Sequence, residues 1–199
     1  MGARSVRILV ISAAFLAGLV LCLGVVLMVF GRVSAPVAQQ FAAVGGPFKL
    51  TDQNGQALSE QDLKGRPFLV FFGFTHCPDV CPTTLFEVSE ILRSLGHDAD
   101  RTRALFITVD PERDTPPVMK DYLSSFDPHL AGLTGDPAAI AAVAKAYRVY
   151  YKKVPLDQGG YTMDHTAIVY LMDKEGRFVA PFNLKRTTEA AAADLRRYL

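Results

Sequence analysis

An α/β fold, with a central mixed sheet flanked by helices and preceded by one N-terminal transmembrane helix, is predicted by three features of the sequence. Residues 8–30 carry no charge at all. Continuous apolar runs of strand length stand at 68–74, 104–109 and 167–172. Between and after them come segments with helix-opening signals, so strands alternate with helices as in a largely parallel sheet.

Taken in order, residues 1–7 form a short terminus bearing Arg4 and Arg7, and Arg32 follows the apolar segment. A helix of about 23 residues spans roughly 34 Å, enough for the hydrocarbon core. The arginine bias places the terminus in the cytoplasm and the rest of the chain outside it. The apolar run is longer than a secretory core, and Pro36 directly follows the small-residue sequence Val33-Ser34-Ala35, so an uncleaved anchor is expected over a cleaved signal peptide. Cys22 reads as a small apolar residue of that anchor. Residues 31–46, small and ending in Gly45-Gly46, read as a tether of roughly 50 Å at full extension. The domain over 47–199 then works close to the membrane, beside a membrane-bound partner.

Within that domain, 48–51 reads as a short strand closed by the turn Asn54-Gly55. The run at 68–74, Phe-Leu-Val-Phe-Phe-Gly-Phe, is a strand buried on both faces. A helix is expected over 84–95, with Thr84 and Glu87 at capping-box spacing. A second buried strand covers 104–109. Thr115-Pro116 opens a helix to about 126, and Asp136-Pro137 opens an alanine-rich one to about 150. The strand at 167–172 turns through Asp173-Lys174-Glu175-Gly176 into a partner at 177–180, and a helix closes the chain over 188–199. This order is compatible with a thioredoxin-like fold without singling it out.

Lysine plus arginine number 21 against 20 for aspartate plus glutamate. No basic excess exists to neutralise phosphates, which argues against nucleic-acid binding.

The chemistry concentrates at Thr75-His76-Cys77-Pro78-Asp79-Val80-Cys81-Pro82, between the strongest strand and a helix. Crevices beyond the carboxyl ends of parallel strands are where such sheets place their sites. On a helix, residues i and i+4 share one face with α-carbons about 6 Å apart, within disulfide reach and suited to gripping a soft metal. The helix N-terminus is expected to lower the thiol pKa. Of the four histidines, His97 and His129 read as loop residues and His76 adjoins Cys77, where it can tune the thiol. His165 stands immediately before the strand at 167–172; by itself it reads as a hydrogen-bonded structural residue. The segment Asp110-Pro111-Glu112-Arg113-Asp114 reads as a loop ending in a capped helix, with a recognition surface as the alternative.

Three ordered motifs change the weight of these readings. They are Gly73-Phe74-Thr75-His76-Cys77-Pro78-Asp79-Val80-Cys81-Pro82, then Thr108-Val109-Asp110-Pro111-Glu112-Arg113-Asp114-Thr115, then Asp164-His165-Thr166. Together with the anchor, they make the chain resemble the SCO/SenC family of copper proteins that assist assembly of cytochrome c oxidase. The resemblance implies a thioredoxin-like fold and copper, as Cu(I) and Cu(II), held by Cys77, Cys81 and His165. Thiolates suit Cu(I), and imidazole with two thiolates also accommodates Cu(II). Three ligands are one short of a closed structural zinc site. Asp79, Met163 or water are candidates for a fourth.

The resemblance implies a non-enzymatic copper metallochaperone for the dinuclear copper site of cytochrome c oxidase subunit II, or for another membrane-bound copper protein. The expected location is the bacterial inner membrane, single-pass, with the domain in the periplasm, because no long arginine- and serine-rich leader is present. Two alternatives stay open: a thiol-disulfide oxidoreductase using Cys77 and Cys81 as a redox pair, and a copper or redox sensor. The cysteine pair is one residue wider than the usual reductase motif, and His165-Thr166 stand where a reductase places a proline. A peroxidase of the peroxiredoxin kind is disfavoured, because Thr75 is two rather than three residues before Cys77.

Overall fold

The computed structural model describes residue 2, residues 15–26, residue 28 and residues 44–199, and the chain divides into two compact units, 1–42 and 43–199. In the first unit, residues 15–26 are helical (α1), and Phe15, Leu19, Val20 and Leu23 among them are exposed. Among the described residues, no helix is long and apolar enough to cross a membrane. The expected anchor over 8–30 and tether over 31–46 fall largely outside the described residues. Residues 44–46 belong to the folded unit, where the Gly45 N–H donates to the Ala146 carbonyl at 3.0 Å.

The second unit is built on a seven-stranded mixed sheet, ordered β2-β1-β5-β4-β3-β8-β9. Its strands are β1 (Lys49–Asp52), β2 (Ala57–Ser59), β3 (Phe68–Gly73), β4 (Arg103–Thr108), β5 (Leu130–Thr134), β8 (Val169–Met172) and β9 (Phe178–Pro181). The central β3, β4 and β5 run parallel, with Phe71 opposite Phe106 and Leu105 opposite Ala131. Antiparallel strands flank them on both sides: β1 against β5, and β8 against β3 with Phe71 opposite Val169. Every residue of β3 is buried, so helices cover both faces of the sheet. Helix α2 (Val80–Leu95) packs on α5 (Thr188–Arg196), α3 (Pro116–Leu123) packs on β5, and α4 (Pro137–Ala146) lies next to β1.

The structure corrects the sequence reading at several elements. Helix α2 begins at Val80, not at 84, so Thr84 and Glu87 are interior helix positions rather than a capping box. Pro82 is tolerated because it lies in the first turn, where a helix has no use for the missing N–H. Helix α3 ends at Leu123 and α4 at Ala146, both earlier than expected. Strand β5, absent from the sequence reading, supplies the third parallel strand. Its Gly132 permits close packing of α3: a β-carbon there would stand 2.6 Å from Leu123 Cδ1 and 2.8 Å from Met119 Cε. The short β2 also escaped the sequence reading.

A separate two-stranded hairpin of β6 (Tyr151–Pro155) and β7 (Tyr161–His165) was likewise not expected. It turns through Gly159 and Gly160, both at positive φ (87° and 78°), a conformation that glycine adopts without strain. The hairpin forms its own sheet, and its last residue is His165.

His129, read as a loop residue, lies in the turn before β5 and there bridges two carboxylates. Its Nδ1 lies 2.7 Å from Asp127 Oδ1 and its Nε2 lies 3.1 Å from Asp100 Oδ1. The hydrogen bond to Asp100, reinforced by Asp127, raises its pKa above the ordinary 6.5. The stabilisation is fully present below pH 6.5 and is lost as pH rises through the raised folded-state value. The stability difference between wild type and His129→Gln is therefore expected to be largest below pH 6.5 and to shrink above it, within about 1 kcal/mol for so exposed a cluster. Denaturant midpoints of both proteins from pH 5 to pH 9 measure this; a pH-independent difference would remove His129 as the titrating group.

Candidate metal centre

The end of β3 delivers the chain to a loop over 74–79 that enters α2 directly. Cys77 sits in that loop, half-buried, and Cys81 is the second residue of α2, fully buried. The Cys77 N–H donates to the Phe74 carbonyl at 3.3 Å, which curls the loop back on itself. The Cys81 N–H points at Cys77 Sγ, 3.4 Å away, so the first turn of α2 offers a donor to that sulfur. Gly73, the last residue of β3, makes room: a β-carbon there would stand 2.8 Å from Cys81 Sγ and 2.7 Å from Phe106 Cε2.

His165 approaches from the hairpin. Its Nε2 lies 3.4 Å from Cys81 Sγ, and its Nδ1 lies 3.2 Å from the Thr166 carbonyl. A carbonyl only accepts, so that contact places the ring proton on Nδ1 and leaves the Nε2 lone pair facing the cysteines. The rings of Phe71 and Phe74 meet the imidazole edge-on, with centroids 6.1 and 5.9 Å away. The ligand atoms of Cys77, Cys81 and His165 all lie within 4.8 Å of one another. Both cysteines are free thiols.

Burial keeps the metal-free site neutral. Burial lowers the His165 pKa and so keeps the imidazole neutral, the form that ligates. Burial raises the Cys81 pKa well above the ordinary thiol value, with the neighbouring Cys77 adding to the effect. This reverses the expectation that the helix N-terminus lowers it: loss of hydration outweighs the helix field once the sulfur is wholly enclosed. A metal ion supplies the positive charge that such a thiol needs in order to ionise. Two sulfurs and one imidazole nitrogen form a soft donor set, which fits copper.

The other acids and histidines considered from sequence stand outside this group. Asp79 is exposed at the start of α2, and Met163 is buried two residues before His165 in β7. His76 is exposed, 3.0 Å from the Thr75 hydroxyl, and His97 lies in a 3-10 turn over Gly96–Arg101. Residues missed from sequence hold the site in place. Asp114, wholly buried, accepts from the Thr75 N–H at 3.1 Å, the Thr75 hydroxyl at 2.6 Å and the Thr108 hydroxyl at 2.6 Å. It thereby ties the cysteine loop to the end of β4. The segment 110–114 is thus a structural clamp, a role that the reading of it as a loop before a helix did not include.

Comparisons with known proteins agree with this geometry. The family model described as SCO1/SenC matches residues 36–199. A SCO2-like protein of Rickettsia prowazekii is 40% identical over 167 residues, covering 80% of this chain and 82% of that protein. The structure of Bradyrhizobium japonicum ScoI with copper bound shares 71% identity at a TM-score of 0.77, covering 79% of this chain and all of that one. Yeast Sco1 with copper bound shares 36% identity at a TM-score of 0.69, covering 79% of this chain and 91% of that one. With the matched segment spanning the cysteine pair, the clamp and the histidine, the chain belongs to the SCO1/SenC family.

Proposed function

We propose that this protein binds copper through Cys77, Cys81 and His165 and delivers it to the dinuclear copper site of cytochrome c oxidase subunit II, as a carrier rather than an enzyme. The observation that carries the reading is the convergence of two sulfurs and one imidazole nitrogen within 4.8 Å, drawn from two separate parts of the fold. A redox pair needs only the cysteines; a third soft-metal donor aimed at them is what a carrier needs. Relatives solved with copper bound support the choice of metal. The apolar N-terminal segment and short tether support a membrane-anchored protein of the bacterial inner membrane, its domain on the periplasmic side.

The test is transfer. Purified full-length protein loaded with one Cu(I) is mixed with an apo-oxidase copper domain, with and without a separate thiol reductant. Stoichiometric transfer to a pre-reduced acceptor is expected. Peptide-resolved alkylation on the same samples should show Cys77 and Cys81 protected by copper, with Cys22 as the internal reference. Equal alkylation of the pair with and without copper would remove them as ligands. Acceptor reduction without copper movement would favour the reductase.

A further inference from the structure

The hairpin that carries His165 is not hydrogen-bonded into the main sheet. A lone two-stranded hairpin is at best marginally stable in water, so its position depends on what it is fastened to. At the His165 end, the Thr166 N–H donates to the Tyr150 carbonyl at 2.9 Å and the Tyr150 N–H to the Thr166 hydroxyl at 3.1 Å. In the middle, Met163 is buried. The far end, at Tyr161, is fastened to the β4–α3 connection by Arg113 and Asp110, while on the neighbouring strand Lys153 Nζ donates to the exposed Glu112 carboxylate at 2.8 Å.

Of these side chains, Arg113 is the one that also reaches the cysteine loop. Its guanidinium lies over the Tyr161 ring, 3.8 Å from the centroid, and its Nη1 donates to the Tyr161 carbonyl at 3.1 Å. Asp110, 2% exposed, receives Arg113 Nε and, at 3.0 Å, the Tyr161 hydroxyl. One buried carboxylate therefore grips both the arginine and the tyrosine that it covers. The same guanidinium stands 5.8 Å from the centroid of Phe74, the residue whose ring meets His165 edge-on and whose carbonyl accepts the Cys77 N–H. Arg113 thus touches both halves of the site: the hairpin through Tyr161 and the cysteine loop through Phe74.

We propose that Arg113 is a positioning residue for the metal centre, fixing where His165 stands relative to Cys77 and Cys81 by clamping Tyr161 and Phe74 together. This rests on the reading of those three residues as the copper ligands. Outer partners that orient ligands typically alter metal affinity by about 10- to 100-fold when removed. The effect falls on the histidine arm, because two thiolates close in sequence still hold Cu(I) without it.

The experiment uses detergent-solubilised full-length protein with Cu(II) and Cu(I) as probes. Arg113→Met keeps the stem and removes charge and donors. It is expected to lose Cu(II) to a chelator about 10- to 100-fold faster and to change the sulfur-to-copper charge-transfer spectrum. Cu(I) stoichiometry should stay at that of the wild type. In the metal-free protein, amide exchange over residues 161–165 should speed up. Arg113→Lys keeps the charge over the ring but not the two-pronged hold, and should fall between Met and wild type. If Arg113→Met does not fold, Arg113→Lys and Tyr161→Phe carry the test, each expected to shift the Cu(II) spectrum. A wild-type spectrum and Cu(II) loss rate in the folded variants would overturn the proposal, and so would parallel loss of Cu(I) and Cu(II) that tracks the unfolded fraction. Wild-type protein that bound no copper would instead sink the ligand reading. The amide exchange of metal-free Arg113→Met would then still decide whether Arg113 fixes the hairpin, with unchanged exchange counting against it.

Discussion

Replacing His165 with alanine is expected to abolish stable Cu(II) binding while leaving Cu(I) on the two thiols. Among the described histidines, cysteines and acids, none other is placed to take over, since Asp79 and His76 stand outside the ligand group. Losing a direct ligand should exceed the cost of losing an outer partner, so Cu(II) retention should fall by more than about 100-fold. Cu(I) is content with two thiolates, whereas Cu(II) prefers a larger set. The disulfide chemistry of Cys77 and Cys81 should survive, because the loop geometry is set by Phe74 and by Asp114 through Thr75, not by the histidine. Physiology then separates the two functional readings. Cells carrying only His165→Ala should assemble little cytochrome oxidase at limiting copper if the protein carries copper. Normal oxidase in such cells, with the variant at normal abundance, would transfer the role to thiol reduction.

The proposed ligands were legible in the sequence to different degrees. Cys77 and Cys81 share one short motif, whereas His165 by itself read as a structural residue and gained a ligand role only from the family resemblance. What joins them was not legible. Strand β5 is five residues with a glycine at its centre, wedged between two helices, and its apolar run is too short to declare a period. Strand β6 holds Lys152 and Lys153 and ends in Pro155, so it lacks the alternation of a half-buried strand, and β7, where Tyr161 and Met163 alternate with Thr162 and Asp164, is only five residues long. Yet that polar hairpin is what carries His165 across to the cysteines. The burial of Asp110 and Asp114 was hidden for a related reason: the segment read as a loop ending in a capped helix, and nothing in that reading shows that Arg113, Thr75 and Thr108 enclose its carboxylates. The direction of the Cys81 pKa failed likewise, since position at a helix start is visible in sequence but the depth of burial is not.

Gly73→Ala is expected to damage stability and metal site together, through one added methyl group. The new β-carbon would lie 2.7 Å from Phe106 Cε2, 2.8 Å from Cys81 Sγ and 3.2 Å from Phe71 Cε1. None of these can retreat easily. Phe106 is fully buried and stacked with Phe71, and Cys81 is fixed in the first turn of a helix packed on α5. Overpacking of this kind costs about 1–3 kcal/mol, which lowers Tm by roughly 2–12 °C in a domain of this size. Relief requires the start of α2 to move, and that carries Cys81 Sγ away from His165 Nε2, now 3.4 Å distant. The Cu(II) charge-transfer spectrum should therefore change along with the Tm. Gly132→Ala supplies the contrast: its β-carbon would meet Leu123 Cδ1 and Met119 Cε, the far ends of flexible side chains on α3. That variant should lose stability with the copper spectrum intact. Thermal melts of the metal-free proteins and Cu(II) spectra of the loaded ones decide the matter. A Gly73→Ala protein with the wild-type spectrum would show that Cys81 is not held against the end of β3.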